Sequence, residues 1–153
     1  MTKDFESDCR FMEAALELAK EAGIDIPVGA VIVKGSEIIA GAANEKEKHG
    51  DPTAHAEIVA IRQACQILGD WRLSGCTIYT TLEPCPMCAE AILQARIDKV
   101  VFAAYDELSG ALGSKFNLYI KGRIYNPPQV LGGIMEAESS RLLKEFFKSL
   151  KHN

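Results

Sequence analysis

The chain has 153 residues, of which 48% are hydrophobic and 25% are charged, a composition typical of a globular protein with one core. Its apolar runs are far shorter than the roughly 18 residues that span a bilayer, and its polar first ten residues lack the apolar segment of a secretory signal, so neither a membrane protein nor an exported one is expected. The five cysteines are odd in number, so a disulfide framework is not expected either, and we predict a cytoplasmic protein. No repeat or linker divides the sequence, and residues 1–153 are therefore predicted to form a single domain.

The net charge of −4 is unevenly distributed along the chain. Residues 1–108 carry 10 Lys/Arg against 18 Asp/Glu, whereas residues 109–153 carry 7 Lys/Arg against 3 Asp/Glu. The basic third could place cations along a phosphate backbone, or it could be the solvated face of a final helix. Charge alone therefore leaves a polyanionic partner open.

Periodicity and chain-breaking residues predict alternating helices and strands. In chain order these are a helix over 7–22, strands over 28–34 and 37–43, a helix over 54–68, a strand over 77–81, a helix over 86–95, strands over 99–104 and 129–131, and a helix over 136–150. Gly23 and Gly69 are natural stops for the first two helices, and Gly35-Ser36 indicates a hairpin turn between the first two strands. The polar stretch 44–52 is predicted to be a loop.

The order of these elements predicts the fold class. Strands that alternate with helices late in the chain favour parallel pairing through crossovers, whereas the early hairpin is antiparallel. We therefore expect an α/β protein, a three-layer α/β/α sandwich with one mixed sheet of about five strands.

Two motifs, each at the predicted N-terminus of a helix, contain the residues that suggest chemistry. They are Thr53-Ala54-His55-Ala56-Glu57 and Leu82-Glu83-Pro84-Cys85-Pro86-Met87-Cys88. The free N–H groups of a helix N-terminus favour thiolates, and Cys85 and Cys88 project from one face of the first turn. With His55 they provide three ligands, and catalytic zinc sites, unlike structural ones, keep a fourth position open. The sequence thus predicts one Zn²⁺ per subunit with a bound water as fourth ligand.

Glu57 is the predicted general acid and base. Zinc lowers the pKa of its water towards neutrality, and a neighbouring carboxylate accepts the proton. The activated water would attack the amino-bearing carbon of a nucleobase, and Glu57 would return protons to the ring nitrogen and to the departing amine. A lone Cys-x-x-Cys is more often a redox pair or half of a zinc ribbon, but its late position and its combination with His-x-Glu favour catalysis.

Through these motifs the sequence resembles the cytidine/deoxycytidylate deaminase superfamily, and more narrowly its bacterial tRNA-specific adenosine deaminases. The resemblance covers nearly the whole chain. Besides the two motifs it includes Pro27-Val28-Gly29-Ala30-Val31, Asn44, Ala95-Arg96-Ile97, Val100-Val101-Phe102, Asp106, Ser109-Gly110-Ala111-Leu112-Gly113-Ser114 and Leu142-Leu143-Lys144-Glu145-Phe146-Phe147.

The resemblance implies substrate roles for four more residues and the same ligand and proton-shuttle roles for the residues of the two motifs. Asn44 would hydrogen-bond the extruded nucleotide, and the Ala56 backbone would touch the base edge. Val28 would line the pocket, and Asp106 would contact the sugar–phosphate chain beside the target. Turn roles for Asn44 and Asp106 and a core role for Val28 stay open. The resemblance also implies a homodimer whose pocket is completed across the interface.

Three functions remain open. An RNA-acting adenosine deaminase would bind a tRNA anticodon stem-loop, with phosphate contacts from Lys115, Lys121, Arg123, Lys144, Lys148 and Lys151. A guanine or cytosine deaminase would act on a free purine or pyrimidine base or a nucleoside, in a pocket closed by the C-terminal segment. A non-catalytic zinc-binding subunit would not need Glu57. The bacterial tRNA enzymes commonly carry an Asn-His-Arg-type segment where this chain has Tyr125-Asn126-Pro127-Pro128, which together with the net charge keeps the free-base alternative in view.

Overall fold

The computed structural model describes residues 2–123 and 125–151. Its elements are α1 (Lys3–Ala19), β1 (Gly29–Lys34), β2 (Glu37–Ala43), α2 (Lys46–His49), α3 (Ala56–Leu68), β3 (Cys76–Leu82), α4 (Pro86–Gln94), β4 (Lys99–Ala104), β5 (Gln129–Gly132) and α5 (Glu136–Leu150). The strands form one sheet in the order β2-β1-β3-β4-β5. Strand β1 pairs antiparallel with β2 and β3, whereas β4 pairs parallel with β3 and β5. The predicted mixed sheet of five strands is confirmed.

Helices cover both faces of this sheet. Because successive strand residues point to opposite faces, Val31 packs in a core with Met12 of α1, whereas Ile32 packs in a second core with Ala60 of α3 and Ile92 of α4. The start of α5 packs on the α1 side. The predicted three-layer sandwich is therefore confirmed. Within the described part of the chain, no helix is both long and apolar enough to cross a membrane.

Helix α1 lies directly on the start of β1, and a glycine makes this contact possible. A Cβ on Gly29 would lie 2.1 Å from the carbonyl oxygen of Ala15 and 2.7 Å from the amide nitrogen of Ala19. Contacts this short with backbone atoms cannot be relieved by a side-chain rotation. A residue larger than glycine at this position would force α1 away from the sheet.

The bounds of α1 differ from the predicted range 7–22. The helix begins at Lys3 because the side chain of Thr2 caps it, accepting a hydrogen bond from the Phe5 N–H at 3.1 Å. It ends at Ala19, and Gly23 lies beyond it with a positive φ of 65°. The glycine is therefore part of the following turn and does not end the helix.

A short helix, α2, lies in the stretch 44–52 that the sequence predicts to be a loop. It is a single turn of 4 residues and ends at Gly50 in the left-handed conformation. The carboxylate of Glu45 lies 2.6 Å from the ring of His49 across this turn. So short a helix has no apolar periodicity, and the sequence pattern could not reveal it.

The carboxyl ends of β3 and β4 lie side by side at one edge of the sheet. Strand β3 ends at Leu82 and β4 ends at Ala104, and these two residues are paired. The next amide, that of Glu83, donates to the carbonyl oxygen of Ala104 at 2.8 Å, which keeps the two chain segments together beyond the strands. Ligands of open α/β sheets commonly bind outside this edge.

Candidate active site

Three metal-ligating side chains meet at the N-termini of α3 and α4. His55 is the N-cap of α3, Cys85 is the N-cap of α4, and Cys88 lies in the first turn of α4. The Nδ1 atom of His55 lies 3.7 Å from the sulfur of Cys85 and 3.5 Å from the sulfur of Cys88. All three ligand atoms lie within 4.8 Å of one another. The structure thus brings together the three ligands proposed from the sequence.

The separations of these atoms fit tetrahedral zinc. Ideal Zn–S bonds of about 2.3 Å and Zn–N bonds of about 2.0–2.1 Å place a sulfur and a nitrogen ligand about 3.6 Å apart. The two observed separations, 3.7 and 3.5 Å, lie on either side of that value. Thiolate and imidazole are also donors that zinc prefers, and three of them leave one tetrahedral position for a water or a substrate atom.

A cavity of about 150 Å³ opens beside the three ligands. Its walls include Glu57 and three of the predicted substrate residues, Val28, Asn44 and Asp106. The other lining residues are Asp25, Ile26, Lys46, His55, Leu82, Glu83, Cys85 and Ser109. The fourth predicted substrate residue, Ala56, is fully buried and contacts the wall by donating its N–H to Asn44.

Comparison with known proteins identifies the family. The model of the cytidine and deoxycytidylate deaminase zinc-binding region matches residues 5–104, well over half of the chain. The chain belongs to this deaminase family. The matched range contains both motifs and ends with β4.

Individual relatives extend the match over most of the chain. The tRNA-specific adenosine deaminase of Bacillus subtilis (strain 168) is 43% identical over 143 residues, which is 92% of this chain and 89% of that protein. A chain solved in a study of A-to-I editing by tRNA:A34 deaminases at the wobble position of transfer RNA superposes with a TM-score of 0.85 and 43% identity, over 88% of this chain and 99% of that one. The structure of guanine deaminase from Bacillus subtilis gives a TM-score of 0.61 and 47% identity, over 69% of this chain and 66% of that one.

The two cysteines of this deaminase site differ in protonation when no metal is bound. A hydrogen bond from the Cys88 thiol, assisted by the His55 ring, lowers the pKa of Cys85 to about 4. The same hydrogen bond, together with burial, raises the pKa of Cys88. The hydrogen bond to Cys85 also raises the pKa of His55. Cys85 is thus a thiolate at neutral pH, and metal binding displaces the proton that Cys88 holds.

Glu57 lies in the first turn of α3 and is only 4% exposed. Burial penalises its charged form and raises its pKa to about 7, although its own backbone N–H and the His55 ring offset part of this effect. A carboxyl group with a pKa near neutrality can both accept and donate protons at physiological pH. The position and the protonation of Glu57 therefore suit the acid–base role that the sequence predicts.

Asn44 connects the N-terminus of α3 to the chain segment before β1. Its Oδ1 accepts from the Ala56 N–H at 2.8 Å, and its Nδ2 donates to the carbonyl oxygen of Ile26 at 2.9 Å. The Ala56 N–H is the first amide of α3 and has no acceptor within its own helix. Asn44 also lines the cavity and has a second Nδ2 hydrogen, so its contact with the substrate remains a prediction.

Asp106 stabilises the turn in which it lies. Its carboxylate accepts from the N–H groups of Leu108 and Ser109 at 3.1 and 3.3 Å and from the Ser109 hydroxyl at 2.9 Å. The structure therefore shows the turn role that the sequence analysis left open for Asp106. Asp106 also lines the cavity, so a contact with the substrate remains a prediction.

The sequence argument missed Glu83, although it stands inside the cysteine motif. Glu83 is 2% exposed and accepts four hydrogen bonds from residues 106–114. Those partners lie 23 to 31 positions further along the chain. A buried acidic residue two positions before a metal ligand is a signal, but nothing local to the motif identifies its partners.

The segment 115–123 packs along α4. One of the basic residues predicted to contact phosphates, Arg123, takes part in this packing. Arg123 forms an ion pair with Glu90 of α4 and donates to the carbonyl oxygen of Leu118. The Tyr119 hydroxyl donates to the carbonyl oxygen of Ala89 at 2.8 Å. Arg123 thus serves this packing. The other predicted phosphate contacts are exposed, namely Lys115, Lys121, Lys144, Lys148 and Lys151.

Proposed function

We propose that this chain is a hydrolytic deaminase that converts the wobble adenosine of a tRNA anticodon to inosine and releases ammonia. The observation that carries the proposal is the cluster of His55, Cys85 and Cys88 beside a cavity whose wall includes His55, Cys85 and Glu57. The substrate assignment is supported by two relatives, the tRNA-specific adenosine deaminase of Bacillus subtilis and the solved tRNA:A34 deaminase, which share 43% identity with nearly all of this chain.

In the proposed site, His55, Cys85 and Cys88 would hold one zinc ion per subunit, and the fourth position would be left for a water molecule. Bound zinc would lower the pKa of that water towards 7 and so supply a nucleophile at neutral pH. The Glu57 carboxylate takes one proton from the attacking water and delivers it to the ring nitrogen beside the reacting carbon, and it then moves the second water-derived proton to the departing amine. One C–O bond forms as one C–N bond breaks, so that adenosine and water become inosine and ammonia.

The other wall residues orient the base. Val28, which is nearly buried, provides an apolar surface against the ring, and the unused Nδ2 hydrogen of Asn44 donates to a ring nitrogen. Where the base edge meets the Ala56 backbone, the base and the Asn44 side chain both accept from the Ala56 N–H. Asp106 contacts the sugar–phosphate chain beside the target, at the side of the cavity that Ser109 also lines.

A tRNA loop and a free base make different demands on this cavity. Within the described residues of one subunit, the lining extends along the chain as far as Ser109. The free-base alternative predicts a pocket closed by a C-terminal segment, which the proposed homodimer would take from either subunit. An anticodon loop can extend out of such an opening and present one unpaired base, which costs less than extruding a base from a duplex. A guanine or cytosine deaminase remains the second candidate because the guanine deaminase of Bacillus subtilis is 47% identical over 69% of this chain.

Deamination assays on several substrates in parallel test the proposal. Zinc-loaded protein is incubated with an anticodon stem-loop carrying adenosine at the wobble position, and separately with guanine, cytosine and cytidine. We expect inosine and ammonia from the stem-loop only, with turnover that falls steeply as salt is added. A stem-loop with guanosine at the wobble position is the matched control. Ammonia from guanine or cytosine, together with an unmodified stem-loop, would overturn the proposal.

A Glu57→Gln variant distinguishes catalysis from a purely zinc-binding role. The amide occupies the same volume but cannot accept and return protons, so we expect the variant to bind zinc and to release ammonia about 10²–10⁴-fold more slowly. Undiminished ammonia release by this variant would remove Glu57 from the mechanism. If neither the wild type nor the Glu57→Gln variant releases ammonia from any of these substrates while zinc is bound, the chain is better described as a non-catalytic zinc-binding subunit.

We further propose that residues 1–153 form a single deaminase domain that acts as a homodimer in the cytoplasm. The single sheet supports one domain. All five cysteines are free, which is typical of a reducing compartment. The homodimer follows from the family resemblance, and sedimentation equilibrium of the zinc-loaded protein tests it.

A further inference from the structure

Glu83 is a buried carboxylate whose hydrogen-bond partners all belong to one loop. Oε1 accepts from the Asp106 N–H at 3.1 Å and from the Ser114 hydroxyl. Oε2 accepts from the Leu112 N–H at 3.0 Å and from the Ser114 N–H at 3.1 Å. Among the ion pairs of the described residues, none involves Glu83. The stabilisation of this carboxylate therefore comes from the loop alone.

This loop, residues 105–114, connects the end of β4 to the segment that packs on α4 and contains no helix or strand. Backbone N–H groups that face the protein interior need acceptors, and for three N–H groups of this loop the Glu83 side chain supplies them in place of a neighbouring strand. The loop backbone lies directly against the carboxylate, because a Cβ on Gly110 would lie 2.4 Å from Glu83 Cδ and 2.6 Å from Oε1. The Ala111 N–H also donates to the carbonyl oxygen of Pro84 at 2.8 Å.

The position of the loop matters because two of its residues form part of the cavity wall. Asp106 and Ser109 line the cavity together with Cys85, and they are hydrogen-bonded to each other. Glu83 holds Asp106 at the near end of the loop and Ser114 at the far end. Hydrogen bonds to a charged acceptor are the stronger kind, and four of them converge on this group.

We propose that Glu83 is a positioning residue that holds the 105–114 loop in the conformation in which Asp106 and Ser109 face the substrate. This inference rests on the proposed function for its substrate, since Asp106 and Ser109 would contact the nucleotide strand beside the extruded base. Glu83 also borders the cavity, but both oxygens of its carboxylate are engaged by the loop, so it acts through the loop and takes no part in the chemical step. Its loss lowers the population of the binding-competent loop and weakens substrate affinity by the same factor.

A Glu83→Gln variant tests the inference. The amide presents N–H groups where one carboxylate oxygen accepts, so at least one backbone N–H of the loop loses its acceptor. For the zinc-loaded protein on the stem-loop we expect KM to rise about tenfold or more, with kcat within about threefold of the wild type. We also expect unchanged zinc content and faster amide hydrogen exchange at Asp106, Leu112 and Ser114. The matched control is Glu107→Gln, the same change at an exposed position of the same loop.

A second variant, Gly110→Ala, keeps Glu83 and displaces the loop with one methyl group. We expect the same rise in KM and the same exchange pattern, which also covers the case in which Glu83→Gln does not fold. Three results would overturn the inference: loss of zinc in either variant, loss of kcat at unchanged KM, or hydrogen exchange in residues 106–114 equal to that of the wild type. A wild-type protein that makes no inosine contradicts the proposed function instead, and the exchange measurement still decides the role of Glu83.

Discussion

Replacing Asn44 by alanine should destabilise the protein and disrupt the site together. The Asn44 side chain bridges the Ala56 N–H and the carbonyl oxygen of Ile26 with two hydrogen bonds of 2.8 and 2.9 Å. Ala56 itself is fully buried, and its N–H loses its acceptor in the protein once the asparagine is removed. Ala56 also lies between His55 and Glu57, and a shift of this helix end moves a ligand and the proton shuttle.

The size of the effect follows from those two bonds. An unpaired buried amide costs about 1–3 kcal/mol, and the lost bond to the Ile26 carbonyl adds about 1 kcal/mol. The expected decrease in the free energy of unfolding is therefore about 2–4 kcal/mol. With an unfolding entropy of about 2.1 cal/mol/K per residue, a chain of this length loses about 6–12 °C of Tm.

Thermal unfolding of the zinc-loaded protein, followed by circular dichroism, measures this change, and kcat/KM on the stem-loop is measured in parallel. Asn44→Asp is the matched control, because it keeps the acceptor for Ala56 and replaces the donor to Ile26 by a carboxylate oxygen that the Ile26 carbonyl repels. We expect its Tm to lie between those of the wild type and the alanine variant. An alanine variant that melts within about 2 °C of the wild type would show that the Ala56 N–H does not depend on Asn44.

The remaining predictions concern the chemistry, the metal and the RNA contact. Glu57→Gln should bind zinc normally and lower kcat by about 10²–10⁴-fold, and a variant of wild-type activity would refute its acid–base role. Cys88→Ala should lower the zinc content measured by mass spectrometry well below one ion per chain, whereas Cys65→Ala, which removes a thiol outside the site, should retain it. Replacing both Lys144 and Lys148 by glutamine should reduce the slope of log affinity against log salt for the stem-loop by about 1.4–1.8, since each phosphate contact contributes about 0.7–0.9. An unchanged slope would show that these two lysines do not contact phosphates.

Local sequence signals were sufficient for most elements and for the metal ligands. The spacing of Cys85 and Cys88 within one helical turn brings the two sulfurs together whatever the rest of the fold. The apolar spacing of residues 136–150 predicts α5 with the bounds that the structure has. The start of α1 was wrong by four residues, because a side-chain cap by Thr2, not an apolar repeat, determines where that helix begins.

The sequence by itself determined the alternation of helices and strands, since each element depends on neighbours within a turn or a strand. It also predicted which residues would hold zinc and which carboxyl group would move protons, from motifs that are each only a few residues long. Only the tertiary structure decided how distant segments meet. His55 and Cys85 are 30 positions apart and come together because α3 and α4 begin at the same edge of the sheet. Glu83 binds amides 23 to 31 positions away because β3 and β4 pair in parallel and the following loop returns across their ends. The composition of a loop does not specify which buried acceptor its N–H groups will find.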